Sequence, residues 1–418
     1  MSLGVVVEKE RRTPITEEAE VVVAGGGPAG FAAAVGSARL GAKTILIERY
    51  GCLGGLATGG LVITLVETKR YGMGVVREVI DRLEAMGGAR LRRPASEPNL
   101  WAEGASFSGE ECVNVDPELM KYVLNEMVLE AGVDILMHSL LVGVEMEGAS
   151  IRSVVLEDKS GRHAVSGKMF VDATGDADVA AAAGVPFSYN RHPWGINIDF
   201  RFGGVDVGRE RLFRDERPEE HRDVLDGLSE LVGGRMYWGP SVRGDVVWGG
   251  APHLHDVDGL SPKDLTRVEV EGRRAVVRGL DYVRSSMPGL ENAYLLDTSS
   301  QVGVRETRRI IGEYILTKED EVGGRRFEDA IASTLFDIPY RCLIPRKVDN
   351  LLVGGRCIST THEAQGPIRN IPPCMVTGQA AGVAAALALK RGVKPRELDH
   401  EEIREALIGQ GFHSLEHR

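Results

Sequence analysis

The sequence has few cysteines, and none of them has a partner nearby. Its 418 residues include five cysteines, which are scattered from Cys52 to Cys374 and form no Cys-x-x-Cys pair. An odd number of scattered thiols favours reduced cysteines over a disulfide framework. The spacing also argues against a zinc site or an iron–sulfur cluster built from local cysteine pairs. We therefore expect no metal centre.

The sequence also lacks a long apolar run and a block of basic residues. No stretch of about 18 uncharged apolar residues occurs, as a membrane-spanning helix requires. The first residues, MSLGVVVEKERRTP, lack the apolar segment of a secretory signal peptide. The 50 basic and 61 acidic residues give a formal net charge of −11, which disfavours nucleic acid and anionic membranes as main partners. The cytoplasm is the expected location.

Glycine, in contrast, is abundant, and three of the 52 glycines form a dinucleotide-binding fingerprint. The apolar run 21–24 predicts a buried parallel strand, and Gly25-x-Gly27-x-x-Gly30 follows it directly. Gly25 permits the tight turn, Gly27 lets the backbone approach a pyrophosphate, and Gly30 lets the helix pack on the strand. The N-terminus of the helix that follows supplies N–H donors for phosphate groups.

A second predicted strand, 44–47, ends at an acidic residue. Glu48 lies 18 residues after Gly30, close to where the fingerprint requires a carboxylate for the ribose hydroxyls. The segment from Gly51 to Gly60 holds five glycines, a density expected for backbone that lies against a flat ligand, although a flexible loop is the alternative. Thr58 offers a hydroxyl in this loop.

The rest of the chain alternates between helical and strand-like segments. Helical spacing predicts helices over 74–85, 116–131, 261–286 and 375–390, the last of them buried and too short to span a bilayer. Strand-like patterns predict a meander over 133–148, 150–158 and 163–175 with a turn at 159–162. Residues 1–18 are expected to form an arm, of which Met1–Leu3 are a candidate cloning remnant, and residues 87–112 an irregular excursion.

Aromatic, strand-like pieces between Ser188 and Asp297 suggest a second domain. The predicted division is a dinucleotide-binding domain over 18–187, a substrate domain over 188–300 and a returning part of the first domain over 301–418.

Charged residues gather in three later segments. Asp176 and Asp178 are expected to begin a helix, as simple caps or with a role near a ligand. The segment 303–317 holds Arg305, Arg308 and Arg309, either on a solvated helix face or in an anion site. A loop after Gly355 holds the third group, His362, Glu363 and Arg369.

Five ordered motifs resemble the signatures of FAD-dependent oxidoreductases whose flavin domain is of the glutathione-reductase type. They are VVVAGGGPAGFAAA, ERYGCLGGLATGG, VDATGDADVAAAAGVP, GVRETRRI and NLLVGGRCISTTHEAQGPIRNIPPCMVTGQAAG. The resemblance runs from about Val21 to Gly392 and is weaker in the middle. It implies an α/β fold, with a Rossmann-like three-layer FAD-binding domain and a smaller mixed β-rich substrate domain.

The resemblance implies FAD as the cofactor and assigns residues to its parts. The turn after the first strand would bind the pyrophosphate, Glu48 the adenosine ribose, and the glycine-rich loop the ribityl or flavin. The segment near Thr174 would lie by the adenosine half, and the segment from Gly355 to the helix at Gln379 would close over the cofactor. The full set is Gly25, Gly27, Pro28, Ala29, Gly30, Glu48, Arg49, Gly54, Gly55, Ala57, Thr58, Ala173, Thr174, Gly175, Asp178, Gly355, Arg356 and Gln379.

The sequence departs from some relatives of this fold. Disulfide reductases carry a second cysteine five residues after the first, where this chain has Ala57 after Cys52, so dithiol chemistry is not expected. Cys52 remains either a packing residue or a flavin attachment point. A second Gly-x-Gly-x-x-Gly unit, needed for a nicotinamide domain, is also missing.

These observations predict an oxidoreductase that transfers a hydride or electrons between a small organic substrate and FAD. The electron partner and the oligomeric state are unknown. His362 is the predicted proton acceptor, with Glu363 orienting it or merely solvated. Arg369 would bind a substrate carboxylate or stabilise reduced flavin, and Arg305 is a reserve anion ligand. The alternatives are an FAD-dependent tRNA-modifying enzyme and a non-catalytic FAD-binding protein.

Overall fold

The computed structural model describes residues 4–8, 10–92, 112–190 and 194–415. Met1–Leu3 and most of the predicted excursion over 87–112 lie outside these ranges. The strands are β1 (Ile15–Glu18), β2 (Val21–Ala24), β3 (Thr44–Ile47), β4 (Thr64–Leu65), β5 (Ala89–Arg92), β6 (Cys112–Val115), β7 (Asp134–Leu136), β8 (Leu140–Glu147), β9 (Ser150–Asp158), β10 (Gly161–Ser166), β11 (Met169–Asp172), β12 (Phe187–Tyr189), β13 (Asp199–Gly203), β14 (Tyr237–Pro240), β15 (Val247–Gly250), β16 (Tyr294–Thr298), β17 (Arg308–Ile310), β18 (Ala330–Ser333), β19 (Asp337–Pro339) and β20 (Leu351–Val353).

Helices occupy the segments between many of these strands. They are α1 (Pro28–Ala38), α2 (Thr68–Tyr71), α3 (Val75–Ala85), α4 (Pro117–Glu130), α5 (Asp178–Ala182), α6 (Val207–Glu216), α7 (Pro218–Val232), α8 (Pro262–Ser286), α9 (Lys318–Val322), α10 (His362–Ile368), α11 (Ile371–Arg391) and α12 (His400–Gly409).

A parallel sheet with the order β20-β11-β2-β3-β7 lies at the centre of the first core. Its strands β2 and β3 are buried along their whole length, as their continuous apolar runs predict. The helix α1 follows β2 directly after the glycine fingerprint. The expected α/β class with a parallel sheet is therefore confirmed.

The predicted meander is confirmed as β8, β9 and β10, which pair antiparallel with the turn between Asp158 and Gly161. The flanking strands β7 and β11 belong to the parallel sheet instead. Residues 15–18, assigned to an arm, form β1, an edge strand parallel to β10. All four of its residues are exposed, so its sequence carries no apolar signal and only backbone pairing defines it.

Most predicted helices have the expected bounds, and α11 is the exception. It begins at Ile371, earlier than expected, because Pro372 and Pro373 fit the first turn, where backbone N–H groups have no helical partner. Its 21 residues are long and apolar enough to cross a membrane, so the prediction that it is too short was wrong. Its apolar window is entirely buried within the protein, as expected for a core helix.

A second hydrophobic core forms around the antiparallel sheet β14-β15-β13-β16. Phe200 and Phe202 from β13 pack there with Trp238 from β14 and with Val268 and Val276 from α8. This core lies within the segment predicted as a substrate domain; the domain boundaries themselves stay a prediction. Asn114 of the first core donates to the Pro240 carbonyl at 2.7 Å, which ties the two parts together.

Candidate functional site

The turn between β2 and α1 requires glycine at two positions and leaves space at a third. A Cβ atom at Gly25, where φ is 95°, would lie 2.5 Å from the Ala173 carbonyl oxygen, and one at Gly30 would lie 1.6 Å from the Gly25 carbonyl oxygen. A Cβ atom at Gly27 would meet nothing within 4 Å. Gly27 is also the N-cap of α1 and provides no side-chain cap, so the first N–H groups of the helix are left for a ligand.

The acid at the end of β3 is fixed beside this turn. Glu48 accepts from the Gly26 N–H at 2.7 Å and from the Tyr50 N–H at 2.8 Å. Burial raises the pKa of Glu48. Arg49 is exposed, with its guanidinium 4.8 Å from the Tyr50 ring. A carboxylate therefore stands where the fingerprint requires one, with lone pairs left for hydroxyl donors.

The glycine-rich loop lies against the same turn. The Gly54 N–H donates to the Gly26 carbonyl at 2.8 Å, and a Cβ atom at Gly55 would lie 3.0 Å from the Gly27 Cα. Thr58 and Ala57 are fully buried, and the Thr58 hydroxyl donates to the Leu53 carbonyl at 2.5 Å. This hydroxyl therefore stabilises the loop, and its direct contact with a ligand stays a prediction.

The thiol in this loop is isolated. Cys52 is a free cysteine, half-buried, and the other four cysteines are free and buried. No group of three or more histidine, cysteine, aspartate or glutamate side chains suited to a metal ion occurs in the described ranges. Whether Cys52 is a packing residue or an attachment point stays a prediction.

The turn after β11 is organised by an acid that the sequence reasoning missed. Asp172 is fully buried and accepts hydrogen bonds from the Thr174 N–H, the Thr174 hydroxyl and the Ala180 N–H. Burial raises its pKa. The hydroxyl of Thr174 in turn accepts from the Asp178 N–H at 2.9 Å. An acid at a strand end, two residues before a Thr-Gly turn, was the available sequence signal.

Two aspartates join this turn to the segment that follows residue 303. Asp176 accepts from Arg356 at 2.8 Å and from the Thr307 hydroxyl at 2.5 Å. Asp178 begins α5, as expected, and forms an ion pair with Arg308. Burial, with the charges of Asp176 and Asp172, raises the pKa of Asp178 to about 6.

The arginine-rich segment is not a solvated helix face. Arg308 lies in β17, a strand, and Arg309 is buried, with its Nε 2.7 Å from the Glu306 Oε1. Arg309 also donates to the Thr360 carbonyl. The predicted helix face was wrong because residues 308–310 pair with β12 as a strand. Successive side chains in a strand point to opposite faces of the sheet.

The returning segment packs on the start of α1. Gly355, with φ of 85°, would place a Cβ atom 2.8 Å from the Ala29 Cβ, and a Cβ atom at Gly378 would lie 2.1 Å from the Ala29 carbonyl oxygen. Ala29 is therefore a packing residue between α1 and α11. Gly175 faces the Arg356 guanidinium, whose Nη1 is buried without a hydrogen-bond partner among the described residues.

The side chain of Gln379 does not face the fingerprint turn, and its assignment to the cofactor stays a prediction. Its Oε1 accepts from the Val75 N–H at 3.0 Å, and its Nε2 donates to Gln410 at 2.9 Å. It lies against Gly36 at the far end of α1. The sequence placed the helix correctly, but only packing decides which helix face meets the turn.

His362 begins α10, which replaces the loop expected here. Its Nδ1 lies 2.7 Å from the Oε2 of Glu306, a carboxylate with a fully buried side chain. Glu363, the acid proposed to orient it, is exposed. The sequence reasoning missed Glu306, although an acid among three arginines was a visible signal. The ring of Trp194 lies 4.8 Å from the His362 ring.

Arg369 follows α10 on the same wall. Its guanidinium lies 5.7 Å from the centre of the Trp194 ring, and its Nε is buried with no hydrogen-bond partner in the described part of the chain. Burial, with the charges of Arg305 and Arg356, lowers the pKa of Arg369 to about 10. Arg369 thus carries its charge next to two other arginines.

Arg305 approaches from the second core. It donates to the Gly195 carbonyl at 2.6 Å and to the Asn197 Oδ1 at 2.9 Å, and its Nη2 lies 2.9 Å from the His253 Nε2. His253 is exposed, yet burial by surrounding atoms and the charge of Arg305 lower its pKa to about 3. A pKa this low leaves the His253 imidazole neutral beside the Arg305 guanidinium at physiological pH. The structure therefore brings Arg305, His362 and Arg369 to one region.

The residues around the turn suit FAD. The open space at Gly27 and the uncapped start of α1 suit a pyrophosphate, and the fixed carboxylate of Glu48 suits ribose hydroxyls. The unpartnered Nη1 of Arg356 is a further donor for an anionic group.

Comparison with known proteins identifies the family. The model of the FAD dependent oxidoreductase family matches residues 20–335 and 332–407. The chain is 29% identical over 177 residues to the thiamine thiazole synthase of Methanococcus vannielii, covering 39% of this chain and 59% of that protein. It is 37% identical over 91 residues to the dihydrolipoyl dehydrogenase of Vibrio parahaemolyticus, covering 21% of this chain and 18% of that protein. The chain thus spans less than two thirds of either relative.

Solved structures share the fold at low identity. A geranylgeranyl bacteriochlorophyll reductase-like protein from Thermoplasma acidophilum is 15% identical, with a TM-score of 0.54 over 96% of this chain and 85% of that one. The p-nitrophenol 4-monooxygenase of Pseudomonas putida is 11% identical, with a TM-score of 0.52 over 96% and 88%. The chain belongs to the FAD-dependent oxidoreductase family and is an enzyme with FAD as its cofactor.

Proposed function

We propose that this enzyme transfers a hydride between a small organic substrate and FAD, and that His362 exchanges the accompanying proton with the substrate. The contact between the His362 Nδ1 and the Glu306 Oε2, at 2.7 Å, carries this proposal. Bound FAD would supply the hydride chemistry, which no amino-acid side chain provides.

The residues proposed to hold FAD are those gathered at the ends of the parallel strands. Gly25, Gly27 and Gly30 would bind the pyrophosphate with the N-terminus of α1, and Glu48 the adenosine ribose. The turn at Thr174–Gly175 would lie at the adenosine half, and Gly355 and Arg356 would close over the cofactor. The Rossmann-like arrangement and the local identity to a dihydrolipoyl dehydrogenase support a flavin domain of the glutathione-reductase type.

Glu306 suits His362 to accept a proton. A carboxylate on Nδ1 favours the tautomer that carries its proton there, which leaves the lone pair of Nε2 for the substrate. The same carboxylate stabilises the imidazolium that forms when Nε2 takes a proton. The second Glu306 oxygen is paired with Arg309, so the carboxylate is fixed from both sides.

The Trp194 ring also limits the orientations of the imidazole. In the oxidation direction, Nε2 would remove the proton of a substrate hydroxyl or amine as the hydride leaves the adjacent carbon. In the reduction direction, the imidazolium would return it.

An anaerobic screen of small organic donors for bleaching of the flavin, followed by stopped-flow kinetics, tests the proposal. We expect His362→Ala to keep its FAD and to slow bleaching by about 10²-fold or more. Glu306→Gln should also slow it, whereas Glu363→Gln is the matched control that should not. Unchanged bleaching in the His362→Ala variant would remove this histidine from the mechanism.

A further inference from the structure

We infer that the substrate is an organic anion, with a carboxylate or phosphate group that binds between Arg369 and Arg305. The inference rests on the proposed function, since it names the class of substrate that would bind beside His362. Five arginines lie in this region. Arg308, Arg309 and Arg356 have acidic partners. Arg305 and Arg369 have none among the described residues.

The three paired arginines are neutralised within the protein. Arg308 pairs with Asp178, Arg309 with Glu306, and Arg356 with Asp176. Arg369, by contrast, forms no ion pair with any described residue, and its contact is the face of Trp194. The nearby carboxylate of Glu306 already serves Arg309 and His362.

Arg305 is likewise without an acid in contact across the described ranges. The groups that meet its guanidinium are the Gly195 carbonyl, the Asn197 amide and the His253 imidazole, none of which carries a negative charge. Asp199 lies behind Asn197, which donates to it at 2.9 Å. Its carboxylate therefore reaches Arg305 through the Asn197 amide and not directly.

Arg305 and Arg369 are both partly buried, and neither forms an ion pair with a described residue. An unpaired charge that is partly removed from water destabilises the folded state, and a bound anion offsets that cost. The chain carries a net charge of −11, so acidic residues are plentiful, yet none of the described ones pairs with Arg305 or Arg369. The planar fork of arginine suits carboxylate and phosphate alike.

Trp194 indicates that the anion has an organic body. The residue is 38% exposed, although its ring contacts both the imidazole of His362 and the guanidinium of Arg369. A substrate with its anionic group at Arg369 and a flat or apolar part against this ring would present its reactive hydrogen to Nε2 of His362. One wall thus joins the anion site to the proposed proton acceptor.

The test uses the FAD-loaded protein with benzoate, phenyl phosphate and the neutral analogue benzamide, measured by calorimetry and by changes in the flavin spectrum. We expect one of the two anions to bind at least about tenfold more tightly than benzamide, since a hydrogen bond between two charged groups is stronger than one to a neutral group. The anion that binds more tightly shows whether the substrate carries a carboxylate or a phosphate. Absence of any preference for an anion would overturn the inference.

Substitutions locate the site. Arg369→Met should lower the affinity for the preferred anion by about tenfold or more. Arg162→Met, which removes a remote arginine on β10, should leave that affinity unchanged. Arg369 could instead stabilise reduced flavin. Its removal would then shift the reduction potential of the bound FAD in the absence of an anion and would leave anion binding intact. That outcome would overturn the inference. His362→Ala should keep anion binding, so failure of the proton-transfer proposal and failure of this one are distinguishable.

Discussion

Gly27 and Gly30 lie one helical turn apart, but glycine is needed at the two positions for different reasons. The space at Gly27 is open and the space at Gly30 is filled by backbone, as the positions of their hypothetical Cβ atoms show. A substitution at Gly27 therefore acts on the ligand, whereas one at Gly30 acts on the fold.

We accordingly expect Gly27→Val to fold like the unsubstituted apoprotein and to contain no FAD, because its side chain occupies the pyrophosphate position. Gly30→Ala should fail to fold or should be severely destabilised, since its Cβ atom would lie 1.6 Å from the Gly25 carbonyl oxygen. Circular dichroism and the absorbance of the released flavin check both. Full FAD content in Gly27→Val would contradict the assignment of this turn.

Asp199 makes stability depend on pH at the residue scale. Burial raises its pKa to about 7, so the folded protein binds this proton more tightly than the unfolded chain, where the pKa is about 3.9. The folded state therefore loses stability as the pH rises from about 4 to about 7, as the carboxylate becomes charged in a buried position.

Asp199→Asn removes this dependence, because the amide is neutral throughout. Its free energy of unfolding should rise relative to the parent protein between pH 4 and pH 7, by at most about 4 kcal/mol for a shift of about three pKa units. Urea unfolding at several pH values measures it. Asp281→Asn, at an exposed site on α8, controls for the loss of one charge, and an equal pH effect in both variants would argue against burial as the cause.

At the scale of elements, α11 packs against α1 through its glycines and bonds to the start of α3 and to Gln410 through Gln379. Gly378 and Gly382 bring its backbone onto α1, since Cβ atoms there would lie 2.1 Å and 2.0 Å from the Ala29 and Ala33 carbonyl oxygens. The side chain of Gln379 fastens the same helix to the start of α3 and to Gln410, which follows α12. These contacts hold the backbone of α11 directly against α1.

We expect Gln379→Ala to lower the free energy of unfolding by about 1–3 kcal/mol, because it leaves the buried Val75 N–H unpaired, and to keep its FAD. Combining it with Gln410→Ala should cost less than the sum of the two single substitutions, since both remove one shared hydrogen bond. Chemical denaturation and flavin absorbance provide the measurements. Loss of FAD at unchanged stability would place this side chain at the cofactor after all.

At the scale of the whole molecule, the candidate site lies where the two cores meet. The turn residues and His362 come from the first core, whereas the groups around Arg305 belong to the segment that leads into the second. Binding of FAD at the turn and binding of the proposed substrate near Arg305 are therefore separable by experiment.

Adding FAD to the apoprotein should raise the temperature of unfolding, by an amount that corresponds to about 2.7 kcal/mol at a free concentration of 100 times Kd. FMN should stabilise the protein far less, because it lacks the adenosine half that Glu48 and the Thr174 turn are proposed to bind. Differential scanning calorimetry measures both, with Gly27→Val as the variant that should respond to neither. Equal stabilisation by FMN would refute the proposed roles of Glu48 and Thr174.

The sequence by itself determined the features that depend on neighbouring residues. The strand, turn and helix around Gly25–Gly30, the acid at the end of β3 and the helices α4 and α8 all follow from local rules of chain sterics and capping. Neighbouring residues encode such features because the atoms that decide them are only a few bonds apart. The family resemblance followed from the order of the same local motifs.

Tertiary structure alone decided how distant side chains meet. Glu306 and His362 are 56 residues apart, and no local pattern shows that this acid, and not Glu363, contacts the imidazole. The direction of Gln379 likewise depends on how α11 is rotated against α1. Such contacts are set by the packing angles of whole elements, which the sequence specifies only through the complete core. The α/β class and its parallel sheet were therefore predictable from local motifs, whereas the grouping of Arg305, His362 and Arg369 required the assembled chain.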